Sequence, residues 1–196
     1  MRGARIALAG AALCASLAAC GGGSGETLRV SVRVPGGSAR ASRAILVSAV
    51  RLTITGVRVH HSDAAGPEDA DWVDCGPRKA LQLDLLALGG KARELCADRI
   101  PDGYYRQIRV DLAENAEDGT PPANTVVTAS GEELPLDVWG AGFGVGHGFL
   151  AGGGGVVDIV LDINAEDSVE RRPGGRLVFL PDIAVSATKY YGAVAP

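Results

Sequence analysis

Histidine is scarce in this sequence, with three in 196 residues, and only His60 and His61, with Asp63 close behind, form a local group of metal-ligand type. Adjacent residues on a strand point to opposite faces, so the two histidines could serve one ion only if the backbone broke between them; a solvated strand end is the simpler reading. No Gly-x-Ser-x-Gly segment occurs, which removes the nucleophile elbow of the α/β-hydrolases. Gly140-x-Gly142-x-x-Val145 falls short of a dinucleotide-binding fingerprint, follows no βαβ pattern and opens no helix. Asp84, Asp111, Asp158 and Asp162 lie within strand-like segments, but nothing in their spacing sets two of them at a distance suited to glycosidic chemistry. No cofactor is therefore implied. A surplus of basic residues is missing too: 19 Lys+Arg stand against 23 Asp+Glu, and the arginines are scattered. That leaves no electrostatic footprint for nucleic acid, and the overall charge makes anionic lipid an equally poor partner.

Long apolar runs are absent as well. The apolar stretch of residues 6–19 (IALAGAALCASLAA) is too short to span a bilayer as a permanent helix, and it follows Arg2 and Arg5 in the manner of an export signal. It closes on Leu17-Ala18-Ala19-Cys20, a sequence that resembles the lipobox of bacterial lipoproteins, in which the cysteine is acylated and becomes the new N-terminus. Gly21-Gly22-Gly23-Ser24-Gly25 follows at once and is the composition of a flexible tether. The expectation is a leader over 1–19, a lipidated Cys20 with its tether over 20–26, one domain over 27–191, and a tail over 192–196. With Gly after the cysteine, the lipoproteins it resembles are sorted to an outer membrane. Loss of the leader removes Arg2 and Arg5 and no acid, so 17 Lys+Arg remain against 23 Asp+Glu, a formal net charge of −6.

Four cysteines are present. Cys14 leaves with the leader and Cys20 carries lipid, so Cys75 and Cys96 remain in a chain bound for an oxidising compartment. A disulfide between them is one reading and a pair of buried free thiols the other.

What the chain does contain is alternation. Residues 27–34 (TLRVSVRV) place four apolar side chains on one face, and residues 157–163 (VDIVLDI) do the same. Within residues 45–60, Val50, Leu52 and Ile54 share a parity that Val57 and Val59 reverse, which predicts a bulge at Gly56. A Pro101-Asp102-Gly103 turn releases into residues 104–112, where Tyr104, Arg106, Ile108, Val110 and Leu112 are expected on one face and Tyr105, Gln107, Arg109 and Asp111 on the other. Glycine then recurs at every second position from Gly140 to Gly148, leaving one face bare and the other carrying Phe143, Val145, His147 and Phe149; an edge strand is the plainer reading and a ligand shelf the sharper one. No amphipathic helix of ordinary length follows the leader. The pattern predicts an all-β, immunoglobulin-like or prealbumin-like β-sandwich of about seven to nine strands. Trp72, Trp139, Tyr105 and Phe143 are the candidates for a ligand-contacting surface, an arrangement that would suit carbohydrate stacking.

These segments resemble the bacterial domain of unknown function 4382 family, through residues 50–60 (VRLTITGVRVH), 83–88 (LDLLAL), 100–110 (IPDGYYRQIRV), 156–163 and 177–184 (LVFLPDIA). The resemblance implies a lipoprotein and supplies no catalytic residues. The glycine-alternating segment and the Cys75/Cys96 pair depart from that pattern. The expected function is a non-enzymatic, membrane-anchored envelope domain that binds an unknown protein or glycan partner, with a cell-surface carbohydrate-binding module as the alternative.

Overall fold

The computed structural model describes residues 25–36, 47–117 and 120–192. The expected leader, the lipidation site Cys20, residues 21–24 of the tether and residues 193–196 of the tail lie outside them.

Two sheets pack face to face. The smaller has the order β13 (Ile183–Tyr191), β10 (Val156–Ile163), β1 (Glu26–Arg33), β5 (Arg93–Ile100). The larger runs β11 (Val169–Arg171), β12 (Leu177–Phe179), β8 (Glu133–Val138), β7 (Thr125–Thr128), β2 (Val47–His60), β6 (Gly103–Leu112), β9 (Gly142–Ala151), with β3 (Val73–Gly76) and β4 (Leu81–Asp84) also paired to β2. Both sheets are mixed, because β1 runs parallel to β10 and β12 parallel to β8. The described residues thus hold 13 strands where about seven to nine were expected. The excess comes mainly from β3, β4, β11 and β12, which are three or four residues long and give a two-residue period too little room to register. The apolar run after Asp84 is a single 3₁₀ turn, Leu86–Leu88, ended by Gly89 at φ 54°.

The core lies between the sheets. Leu28, Val30, Val157, Ile159 and Leu161 from the smaller sheet meet Val50, Leu52, Val57, Ile108 and Phe149 from the larger, all but fully buried. Each such side chain contributes roughly 1.5–3 kcal/mol by leaving water. A void between the sheets, lined by Leu52, Val110 and Leu161 among others, measures about 10 Å³, no more than a single water occupies.

Parity slips where the register does. Pairing of β2 with β6 shifts between Ile54 and Gly56, which returns Val57 and Val59 to the core face, as the reversal at Gly56 predicts. A second shift in the pairing of β6 with β9, between Tyr105 and Gln107, sets His147 and Gly148 against the single Arg106. That slip overturns the expected faces at the start of β6: Tyr105 is fully buried and Tyr104 is half exposed, while Ile108, Val110 and Leu112 keep the core side. Both flanks of the sandwich are tied across the sheets. On one, a disulfide joins Cys75 in β3 to Cys96 in β5. On the other, His147 Nε2 in β9 lies 2.7 Å from Thr188 Oγ1 in β13, and the amide of Leu150 donates to Tyr190 Oη at 3.4 Å.

Candidate functional site

The parallel pairing of β8 with β12 sets Asp137 beside Val178, and two residues before Val178 stands Arg176. Arg176 directs Nε and Nη2 at the same oxygen, Asp137 Oδ2, at 2.8 and 2.6 Å. Three surface hollows of about 490, 590 and 330 Å³ adjoin, and both members of this pair line each of them. Together they form an open groove along β8 and β12.

One wall is the turn from β8 into β9. Trp139–Ala141 forms a tight turn with Gly140 at φ 67° and Ala141 at φ 50°, both left-handed, and Arg109 Nη2 holds it by donating to the Gly140 carbonyl at 2.7 Å. Arg109 is itself buried, and Asp111 Oδ1 accepts from its Nε at 2.8 Å, while the same carboxylate takes two hydrogen bonds from Arg58. A paired, hydrogen-bonded guanidinium on the outer face of the sheet thus holds the turn, and the Trp139 indole is 74% exposed. The opposite wall is the β11–β12 hairpin, whose turn carries Arg172, Pro173 and Gly174, with Gly174 and Gly175 both at positive φ and the Arg172 amide donating to the Arg176 carbonyl at 2.8 Å. Arg172 faces Glu170 at 3.2 Å. Among the described residues lining the three hollows there is no histidine, cysteine or serine. An exposed indole beside a carboxylate–guanidinium pair and a proline offers a stacking surface together with planar hydrogen-bonding groups.

Trp139 is the one residue of the expected ligand surface that the structure places in this groove. Phe143 and Tyr105 are core residues: the Phe143 ring faces Phe179 at 6.1 Å, and Tyr105 stacks on Phe149 and donates its hydroxyl to the Pro101 carbonyl at 2.9 Å. Burial pushes the Tyr105 hydroxyl above the usual tyrosine range, and the charge of Asp102 adds to that. Trp72 is half-buried outside the groove, where its Nε1 donates to Gly66 O at 2.9 Å and Arg58 lies over its ring. His60 and His61 diverge. His60 bonds the Ala70 carbonyl and the Ser62 amide, while His61 reaches the Tyr104 carbonyl and stacks on Tyr105. Neither these two nor Asp63 converge on a point, and among the described residues no group of three or more His, Cys, Asp or Glu could hold a metal ion.

On the glycine face of β9, side chains of β6 stand beside Gly144 and Gly148, while Gly146 is open. A Cβ on Gly148 would run into the Tyr104 hydroxyl, and one on Gly144 would stand 2.7 Å from Gln107 Nε2. These glycines make room for neighbouring side chains, which removes the ligand-shelf reading for that part of the strand. Asp137, Arg172 and Arg176 escaped the sequence reading because nothing local marks them: Asp137 and Arg176 are 39 residues apart and meet only through the parallel pairing. Besides Trp139, the Pro173-Gly174-Gly175 turn is the trace of the site that the sequence displays.

No curated protein and no solved structure matches the chain. A family match does run through residues 44–181, taking in every strand of the larger sheet, β5, β10 and all the groove residues. By that match the chain belongs to the family described as Domain of unknown function (DUF4382).

Proposed function

We propose that this protein is a lipid-anchored component of a bacterial cell envelope, and that its sandwich binds a ligand in the Asp137–Trp139–Arg176 groove without transforming it. The observation that carries the binding reading is Trp139, an indole left 74% exposed at the edge of a groove of about 490 Å³ while Arg109 holds its turn through the Gly140 carbonyl. Large exposed aromatics in preformed concavities are typical anchors of binding sites. The anchor reading rests on the Leu17-Ala18-Ala19-Cys20 segment and the glycine tether after it.

A glycan is the second reading. It is favoured by the indole standing next to the planar Asp137–Arg176 pair, since a sugar ring offers an apolar face for stacking and hydroxyls for the carboxylate and guanidinium. A glycan microarray probed with the detergent-extracted full chain tests it, alongside Trp139→Ala. Binding that disappears in the variant, with an unchanged melting temperature, supports the glycan; absence of binding to any glycan removes it. Site-specific photocrosslinking from position 178 in the native envelope tests the broader claim. A discrete adduct that Trp139→Ala abolishes supports a binding groove, and an unaltered adduct pattern overturns it.

A further inference from the structure

We infer that the end of the sandwich from which the tether leaves is a bilayer-facing surface, seated in the headgroup layer through Tyr104, Leu150 and Tyr191; this rests on the acylated Cys20 proposed above. Four large hydrophobic side chains are exposed among the described residues: Trp139 and these three, at 51%, 39% and 49%. Register puts the three together at one end. Glu26, where the chain enters β1, pairs with Ile100; Gly103 pairs with Ala151, Tyr104 with Leu150, Thr27 with Val156, and Val156 with Tyr191. The first residues of β1, β6 and β10 and the last of β5, β9 and β13 therefore share this end. Glu26 is tied into it, its Oε2 accepting from the Gly152 amide.

Because Tyr104 and Leu150 lie on the outer side of the larger sheet and Tyr191 on that of the smaller, the three form a partial girdle. Tyrosine in such a place puts a ring against acyl chains and a hydroxyl among headgroups. The lipid is the occupant nearest to hand. Six residue steps separate Cys20 from Glu26, a reach of at most roughly 20 Å. Trp139 lies near the opposite end, since Gly142 pairs with Asp111, one residue from the end of β6. That places the groove roughly 30 Å farther from the acyl attachment, at about 3.3 Å per strand residue.

The charges at the tethered end suit this seat. Arg99, Arg106 and Lys189 are exposed there and balance Asp63, Asp98 and Asp102, and the exposed loop between β9 and β10 is Gly153-Gly154. Beyond Asp63 the acidic loop is drawn back along the sheet: the Pro67 carbonyl accepts from Arg58, the Ala70 carbonyl lies 3.0 Å from His60 Nε2, and Trp72 bonds Gly66. The net negative charge of the whole chain thus misstates what this end presents.

The test uses the full chain, expressed with its leader, extracted from membranes and placed in nanodiscs of phosphatidylethanolamine and phosphatidylglycerol, with and without a doxyl-labelled lipid. Mass spectrometry reads acylation at Cys20, and amide NMR reads paramagnetic attenuation. Expected is loss of amide signal at Tyr104, Leu150, Tyr191 and Gly153 with Trp139 and Arg176 unattenuated. Paired Tyr104→Ser and Tyr191→Ser changes should restore the Leu150 and Gly153 signals while the remaining amide shifts stay in place. Acylated protein showing no attenuation at the three residues, or equal attenuation at both ends, overturns this inference and leaves the anchor standing. An unacylated Cys20 overturns both.

Discussion

Gly142 and Gly146 stand on one strand, two turns of the same alternation, and answer to different constraints. Gly142 has φ 143°, and a Cβ there would fall on the carbonyl of Val110, which is backbone and has nowhere to move. Gly146 has nothing within 4 Å of the place a Cβ would take. Gly142→Ala should lower the unfolding free energy by roughly 1–3 kcal/mol from backbone strain alone. Gly146→Ala should raise it by roughly 0.4–1 kcal/mol, by reducing the freedom of the unfolded chain. Chemical denaturation of the two variants reads both, and equal effects of one sign would contradict the distinction. Residue by residue, the sequence was most legible where side chains were large and regular in spacing, as at Leu28 or Ile159. It misled at Tyr104 and Tyr105, because a bulge one residue later exchanges their faces, and adjacent tyrosines carry no mark of which is inside. Trp139 could be named a surface candidate from its type, whereas its partners Asp137 and Arg176 are ordinary charged residues until the fold brings them together.

At the scale of elements, the parallel pair β1–β10 is fastened on its outer side by Arg33, which donates from Nε and Nη2 to the two oxygens of Asp162 at 2.8 and 2.7 Å. Hydrogen bonds from Arg33 hold the Asp162 carboxyl below the usual aspartate range, with a smaller contribution from the Ser186 hydroxyl. A carboxyl whose folded value is depressed stabilises the fold fully above its unfolded value of about 4 and ceases to do so as pH falls through the lower, folded value. The stability difference between the parent and Asp162→Asn should therefore be largest near neutral pH and shrink in acid below about pH 4. Urea midpoints across that range check it; a difference that grew in acid would reverse the assignment. The ion pair is partly exposed, so the effect is small. Elements were legible in proportion to their length. The reversal of parity across Gly56 betrayed its bulge, but β3, β11 and β12 span three or four residues, and β5 mixes charged and apolar positions without a period. Parallel pairing left no local trace, since it joins segments far apart in the chain.

Taken whole, the molecule has two ends of different character. One, where the chain enters β1 at Glu26, carries Tyr104, Leu150, Tyr191 and an uncharged glycine loop; near the other lie Trp139 and the groove. The Cys75–Cys96 bond stitches the larger sheet to the smaller along one flank and closes a span of 21 residues. Loop-closure entropy gives such a link about 3 kcal/mol. Replacing both cysteines with alanine should lower the denaturation midpoint accordingly while the transition stays cooperative, and an unchanged midpoint would deny the bond a role in stability. Compartment chemistry made that bond a reasonable expectation in the sequence, but the layout of ends and flanks required the strand order. The central claim, that this sandwich is held at a membrane by lipid on Cys20 and turns its groove away from it, is tested most directly by the mass of the N-terminal peptide of protein taken from its native envelope. The account predicts a peptide that begins at Cys20 and bears acyl chains; a peptide that begins elsewhere, or an unmodified Cys20, contradicts it.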